Sequence, residues 1–260
     1  VDSTKSPDGG SGSLSLIHSL RNNAEHQPNH ILLHWVDSKC NVVDSMTYQQ
    51  LWLRTAATAE LLLTNGVGKG DRVMIACPFG PSFFYCLLGC MRIGAIPCSV
   101  YPPNPQGSSK ATKHSFDQFN RQVRDAEAKI ALTTNDFKQA LALANIMGRR
   151  TPNVKWIATD TLNQNQPSDP NVGIMPEPDD IAFVQYSSGS TGDPKGIMIS
   201  HKAVIYNSSK IMQDFTDANG SDILVSWLPQ YHDLGLIGAF INPLLHPSIV
   251  VYMASPIDFI

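Results

Sequence analysis

The sequence is short of charge and of cysteine, and neither sign of charge is in marked excess. Charged residues make up 16 % against 42 % hydrophobic ones, which excludes disorder driven by charge and low hydropathy. Nineteen Lys and Arg stand against 22 Asp and Glu in 260 residues, a net charge of −3. A dedicated nucleic-acid binder needs a basic surplus, so no nucleic-acid partner is expected. The five cysteines, Cys40, Cys77, Cys86, Cys90 and Cys98, are odd in number and form no CxxC. That fits neither a disulfide framework nor a zinc site. Four of them lie in apolar runs, as buried free thiols of a reducing compartment do. His26, His30 and His34 recur four residues apart, but Pro28 and the strand-like run at 31–33 break the helix that would align them on a metal.

Long helix-compatible apolar runs are missing too. Residues 73–91 and 234–257 carry no Asp, Glu, Lys or Arg, yet Pro78, Gly80 and Pro81 interrupt the first, and Pro243, Pro247 and Pro256 the second. A spanning helix needs about 20 apolar residues that stay helical, so both runs read as buried strand–turn–helix pieces and no transmembrane segment is expected. Residues 1–13 form a Gly/Ser/Asp-rich tail without the apolar centre of a signal peptide. A cytoplasmic location is expected. The absence of an initiator Met points to a cut from a longer polypeptide. No internal repeat and no GxSxG nucleophile elbow occur.

What is present is an alternation. Apolar runs of about five residues (72–77, 96–100, 130–133, 154–157) are separated by helical patterns of ten to fifteen, the signature of βαβ units and a mostly parallel sheet. Thr47 with Gln50 predicts a capping box at the start of one helix, and Asn65-Gly66 its end. Residues 160–179 are polar, Pro-rich and without period. They predict a linker between a first α/β subdomain (14–159) and a second (180–260). After it come strands at 180–186, 196–200, 223–227 and 248–252 and helices at 202–215 and 236–245. Phe83, Phe84 and Leu87 read as core rather than as a channel for a ligand.

The most informative stretch is Tyr186-Ser187-Ser188-Gly189-Ser190-Thr191-Gly192-Asp193-Pro194-Lys195-Gly196. Its three glycines free the backbone to fold closely around a ligand. Four hydroxyls and one mobile cation suit the oxygens and charge of a polyphosphate. It is not a Walker A loop, because Pro194 stands where the second Gly should be and Gly196 follows Lys195. Its place between two apolar β-rich runs distinguishes it from a flexible linker.

YSSGSTGDPKG resembles the phosphate-binding signature of the adenylate-forming superfamily, which comprises acyl-CoA synthetases, adenylation domains and fatty acyl-AMP ligases. Downstream, residues 226–237 read SWLPQYHDLGLI, and upstream residues 94–103 read GAIPCSVYPP. The first is similar to SWLPxYHDxGL and the second to GAIxxxVYPP, both forms of the fatty acyl-AMP ligase branch. The resemblance covers about residues 14–260.

The resemblance implies stacked, mostly parallel βαβ sheets of the N-terminal domain of an adenylate-forming enzyme, cut short. It implies that ATP and a fatty acid react to acyl-adenylate and pyrophosphate, with magnesium accompanying the ATP. Ser187, Ser188, Gly189, Ser190, Thr191 and Gly192 would wrap the β- and γ-phosphates. Lys195 and Gly196 would close the loop, with Lys195 neutralising the pyrophosphate. His232 would orient the carboxylate, and Asp233 would cap the following helix. The acceptor implied is an acyl carrier protein, as in polyketide and non-ribosomal peptide assembly, with CoA as the alternative. A non-catalytic relative that binds acyl ligands or partners is the reading from another class. The adenine, ribose and magnesium contacts and the C-terminal catalytic lysine are expected beyond Ile260, so the isolated 260 residues are expected to be inactive.

Overall fold

The structure is a computed structural model, and it describes residues 15–161, 167–187, 194–215 and 222–255. The side chains of residues 187, 214 and 215 are not part of that description. Helix α1 (Leu16–His26) precedes strands β1 (Ile31–Val36) and β2 (Val42–Thr47), then helix α2 (Tyr48–Thr64). Next come β3 (Arg72–Ile75), α3 (Ser82–Arg92), β4 (Ile96–Ser99), α4 (Ser109–Asp125), β5 (Ile130–Thr133), α5 (Asn135–Ile146) and β6 (Lys155–Ala158). The remainder is β7 (Ile181–Ser187), β8 (Lys195–Ser200), α6 (His201–Phe215), β9 (Asp222–Ser226), a π-helix (Leu234–Ile241), α7 (Asn242–Leu245) and β10 (Ile249–Ala254).

Two sheets result, with strand orders β2-β1-β10-β9 and β6-β5-β3-β4-β7-β8. Both are parallel except at one edge, where β2 runs antiparallel to β1 and β8 antiparallel to β7. This is the α/β class that the alternation predicts. The capping box on α2 is formed, with Thr47 accepting from the Gln50 backbone and Gln50 accepting from the Thr47 backbone. Helix α3 has no polar stripe: Phe83 through Arg92 are all buried. A helix apolar all round must be covered on every side, and α3 shares one continuous core with residues of both sheets, such as Leu33, Val251, Ile75 and Phe183. Phe83, Phe84 and Leu87 are core, and Phe84 stacks on Phe240 of the π-helix at 3.8 Å between centroids. Cys77, Cys86, Cys90 and Cys98 are buried and Cys40 is exposed, all five as free thiols.

The sheets do not follow the division expected at 160–179. One takes β1 and β2 from before it and β9 and β10 from after it, and the other joins β4 to β7 across it. The described part, 167–179, lies pinned over α2 and α3. Arg92, 1 % exposed, donates to Pro170 O (2.7 Å), Val172 O (3.2 Å) and Trp52 O (2.8 Å). Its guanidinium carbon lies 3.6 Å from the Trp52 ring centroid. Burial without a paired carboxylate pushes its pKa down to about 10. The Glu60 carboxylate accepts from the backbone of Ser168 and Asp169, fixing the start of the segment. At the entry to α6, His201 is 1 % exposed, and its Nδ1 accepts from Leu16 N at the start of α1 (3.3 Å). Burial lowers its pKa to about 4, so it is held neutral.

Candidate active site

In open parallel sheets ligands bind outside the carboxyl ends of the strands. Here β3, β4 and β7 run parallel, so their carboxyl ends, with the loops at 76–81 and 100–108, share one rim. The Ser/Gly stretch is the connection of the β7–β8 hairpin, whose register pairs Tyr186 with Gly196 and Ser187 with Lys195. Ser188, Gly189, Ser190, Thr191 and Gly192 lie outside the described residues. Lys195 is exposed at the first position of β8, on the rim. Gly196 belongs to the strand, and a Cβ there would lie 2.9 Å from Val184 Cγ1 and 3.4 Å from the Tyr186 ring. Its missing side chain makes room for Tyr186, whose hydroxyl lies 2.8 Å from Asp125 Oδ2 and 3.2 Å from Gln122 O. Burial and the Asp125 carboxylate raise the pKa of that phenol, so it stays protonated and hydrogen-bonding.

His232 comes from the other sheet, on the loop between β9 and the π-helix. Two hydrogen bonds carry this loop to the rim: Gln185 Nε2 of β7 donates to Tyr231 O at 2.8 Å, and Ser99 Oγ at the end of β4 donates to the same oxygen at 3.3 Å. The Tyr101 and Tyr231 rings meet edge to face, 5.0 Å apart. The stretches at 94–103 and 226–237 therefore meet beside the end of β7, the strand that leads into the Ser/Gly stretch. Gln230, fully buried, donates from Nε2 to Pro78 O (2.9 Å) and accepts at Oε1 from Gly80 N (3.1 Å). Gln185, Ser99 and Gln230 had no signal in the sequence, because each acts on a partner 46 to 152 positions away.

His232 itself is solvent-facing. Its side chain and that of Asp233 are each 66 % exposed, with Nδ1 2.5 Å from Asp233 Oδ1, which leaves Nε2 as the ring nitrogen available to a ligand. Asp233 caps the π-helix as expected, accepting from Leu234 N at 2.8 Å. The sequence predicts an ordinary helix over 236–245. Instead a π-helix fills 234–241 and one α-turn follows, and π-turns are often found at functional sites. Beside Asp233 opens a groove of about 710 Å³ between α6, β9 and the π-helix, lined by Ile211, Ile223, Val225, Leu234 and Ile237 among others. Among the described residues no group of three or more His, Cys, Asp or Glu side chains could hold a metal ion, and no helix is long and apolar enough to cross a membrane.

Comparison with known proteins decides the family. The family described as AMP-binding enzyme matches residues 20–259. The chain belongs to this family. It is 30 % identical over 221 residues to the medium-chain-fatty-acid–[acyl-carrier-protein] ligase JamA of Moorena producens, spanning 84 % of this chain and 36 % of JamA. It is 33 % identical over 242 residues to the putative fatty-acid–CoA ligase FadD21 of Mycobacterium tuberculosis, spanning 89 % of this chain and 40 % of that protein. Among solved structures, a fatty acyl-adenylate ligase from Legionella pneumophila, in complex with acyl adenylate and pyrophosphate, superposes with a TM-score of 0.82 at 32 % identity. That match covers 95 % of this chain and 40 % of the ligase. The chain thus spans about two fifths of the length of such relatives and shares their mixed α/β architecture.

Proposed function

We propose that this chain supplies the phosphate- and carboxylate-binding side of an active site that converts a fatty acid and ATP to acyl-adenylate and pyrophosphate. A carboxylate oxygen attacks the α-phosphorus, the bond to the β-phosphate breaks, and pyrophosphate leaves with the charge. The difficulty is bringing two anions together and stabilising the charge that develops at phosphorus. Ser187 to Gly192 would donate hydrogen bonds to the β- and γ-phosphates, and Lys195 would offset charge on the leaving group. His232, through Nε2, would hold a carboxylate oxygen in line. The apolar groove beside Asp233 suits the hydrocarbon tail. Magnesium would accompany ATP on its triphosphate, and no step here is assigned to it.

One observation carries the proposal: Tyr231 O accepts from both Gln185 and Ser99, which brings the His232 loop to the strand that leads into the Ser/Gly loop. The acceptor proposed is an acyl carrier protein, and SWLPQYHDLGL and VYPP support it. A CoA acceptor is the second reading, favoured by the likeness to FadD21. The full-length protein, given a fatty acid and ATP with either CoA or a phosphopantetheinylated carrier, separates them. Acyl-carrier formation without acyl-CoA is expected, and rapid acyl-CoA release would overturn that choice. Absence of pyrophosphate release with every fatty acid would overturn the proposal itself and favour a non-catalytic ligand-binding role. A place in polyketide or non-ribosomal peptide synthesis and a cytoplasmic location belong to the same proposal.

A further inference from the structure

The clasp made by Gln230 asks for a reason. Transferring an amide from water to an interior costs free energy that an aliphatic side chain of the same size does not, yet Gln230 is fully buried. Both ends of the amide are matched, and in one orientation only, because Pro78 O can only accept and Gly80 N can only donate. The loop it grips is itself fixed. Phe79 packs on Trp35 of β1 with ring centroids 5.0 Å apart, Cys77 is buried, and Pro81 opens the fully covered α3. On the other side, Tyr231 O is held by Gln185 and Ser99, and the Pro229 carbonyl accepts from His232 N at 3.0 Å. The His232 side chain is largely exposed, so its position is set by its backbone, and the backbone is held by the two residues before it, Gln230 and Tyr231.

We propose that Gln230 is the positioning residue for His232: its side-chain amide locks the β9–π-helix loop to the loop after β3 and so fixes the imidazole at the rim. This rests on the reading of His232 as the carboxylate-orienting group. Gln230 touches no substrate and acts through the loop alone. The position is the open one in the pattern SWLPxYHDxGL, where no chemistry is assigned to it.

The experiment is a double-mutant cycle in the full-length protein, following pyrophosphate release with ATP and a fatty acid. Gln230→Met keeps length and volume but removes both hydrogen bonds. A misplacement of about 1 Å costs on the order of 10²-fold in rate, so kcat is expected to fall by roughly that factor with the KM for ATP little changed. In a His232→Ala background the same substitution should have less than about a two-fold effect, since there is no imidazole left to misplace. A merely structural glutamine would cost the same factor in both backgrounds, and that result overturns the proposal, as does a wild-type kcat in Gln230→Met. Gln230→Glu provides a second readout should Gln230→Met fold poorly. Its protonated carboxyl can still donate to Pro78 O and accept from Gly80 N, whereas its carboxylate faces a carbonyl. Its kcat relative to wild type should therefore recover as pH falls, and a flat ratio across pH counts against the clasp. If His232→Ala alone keeps the wild-type rate, the reading of His232 fails and the proposal falls with it. If His232→Ala is impaired and Gln230→Met is not, only the proposal about Gln230 fails.

Discussion

Gly235→Ala is a severe test of how the His232 loop is held. A Cβ built at Gly235 overlaps the Pro229 carbonyl oxygen and lies 2.8 Å from Pro229 C and 3.1 Å from Leu228 O. These are backbone atoms and have no rotamer to change. Carbon-to-oxygen contacts settle near 3.3–3.6 Å, so the loop and the π-helix must part by about 1 Å. The loop resists, because Gln230 and Tyr231 anchor it through four hydrogen bonds. The carbonyl that has to move also accepts from His232 N. Overpacking of this kind costs about 1–3 kcal/mol, and losing the turn bond at His232 adds about 1 kcal/mol. Displacing the imidazole by about 1 Å costs roughly 10²-fold in rate, or about 2.7 kcal/mol in the barrier. Gly238→Ala is the matched control. Its new Cβ meets only Leu234 Cδ1, at 3.6 Å, an ordinary contact, and Ala in place of Gly in a helix interior gains up to about 1 kcal/mol. Urea unfolding and pyrophosphate release, measured on both variants of the full-length protein, decide the matter. Gly235→Ala should lose stability and rate together, with Gly238→Ala neutral or better. Equal behaviour of the two, or a worse Gly238→Ala, would refute the packing argument.

The remaining predictions use the same protein. His201 is held neutral with its pKa lowered from 6.5 to about 4, so below pH 6.5 the unfolded chain binds the extra proton first. Stability should therefore drop as pH falls from about 6.5 to 4, by at most about 3 kcal/mol, and be flat from this group outside that window. In His201→Asn, which keeps an acceptor for Leu16 N, the drop should shrink, and an unchanged pH profile in denaturant titrations would rule the assignment out. Lys195→Ala should weaken catalysis by roughly 1.5–3 kcal/mol while leaving stability within about 0.5 kcal/mol. A collapsed melting temperature with unchanged pyrophosphate release would make Lys195 structural. The 260 residues alone, which span about 40 % of FadD21, should show no turnover comparable to that of the full-length protein when supplied with ATP, magnesium and a fatty acid, and comparable release would place the whole site within them.

Local signals wrote much of the architecture. The Thr47–Gln50 capping box, the Asn65-Gly66 stop and the alternation of short apolar strands with helices all depend on neighbours a few residues apart, and each appears where it was expected. Strand β2 escaped notice because it is an exposed edge: Val42, Val43 and Asp44 face solvent, so no apolar alternation marks them. The π-helix was invisible for the opposite reason. LGLIGAFI is apolar on every side, so no stripe reports whether the turn holds 3.6 residues or more. The polar stretch at 160–179 has the composition of a joint, yet its described part is held by Arg92 and Glu60 from α2 and α3. Composition reports what a segment cannot bury, whereas the backbone carbonyls of Pro170 and Val172 are what Arg92 binds, and any sequence offers those.

The same asymmetry governs the candidate site. Groups that would touch a ligand directly, Lys195 and His232, sit in stretches whose residue types announce their chemistry. Groups that bring those stretches together do not. Gln185, Ser99 and Gln230 are single polar residues in apolar surroundings, and each earns its place through a backbone atom of a distant loop. Such contacts join elements of both sheets that share the core around α3, so the rim depends on the core beneath it. Orienting a carboxylate against a phosphate demands accuracy of a fraction of an ångström, while His232 and Lys195 are exposed and make few contacts of their own. On the proposed reading, that accuracy would come from the amides and the hydroxyl behind them, of Gln185, Gln230 and Ser99. Substitutions at those supporting positions should therefore separate rate from ligand affinity more cleanly than substitution of Lys195, which would touch the ligand directly.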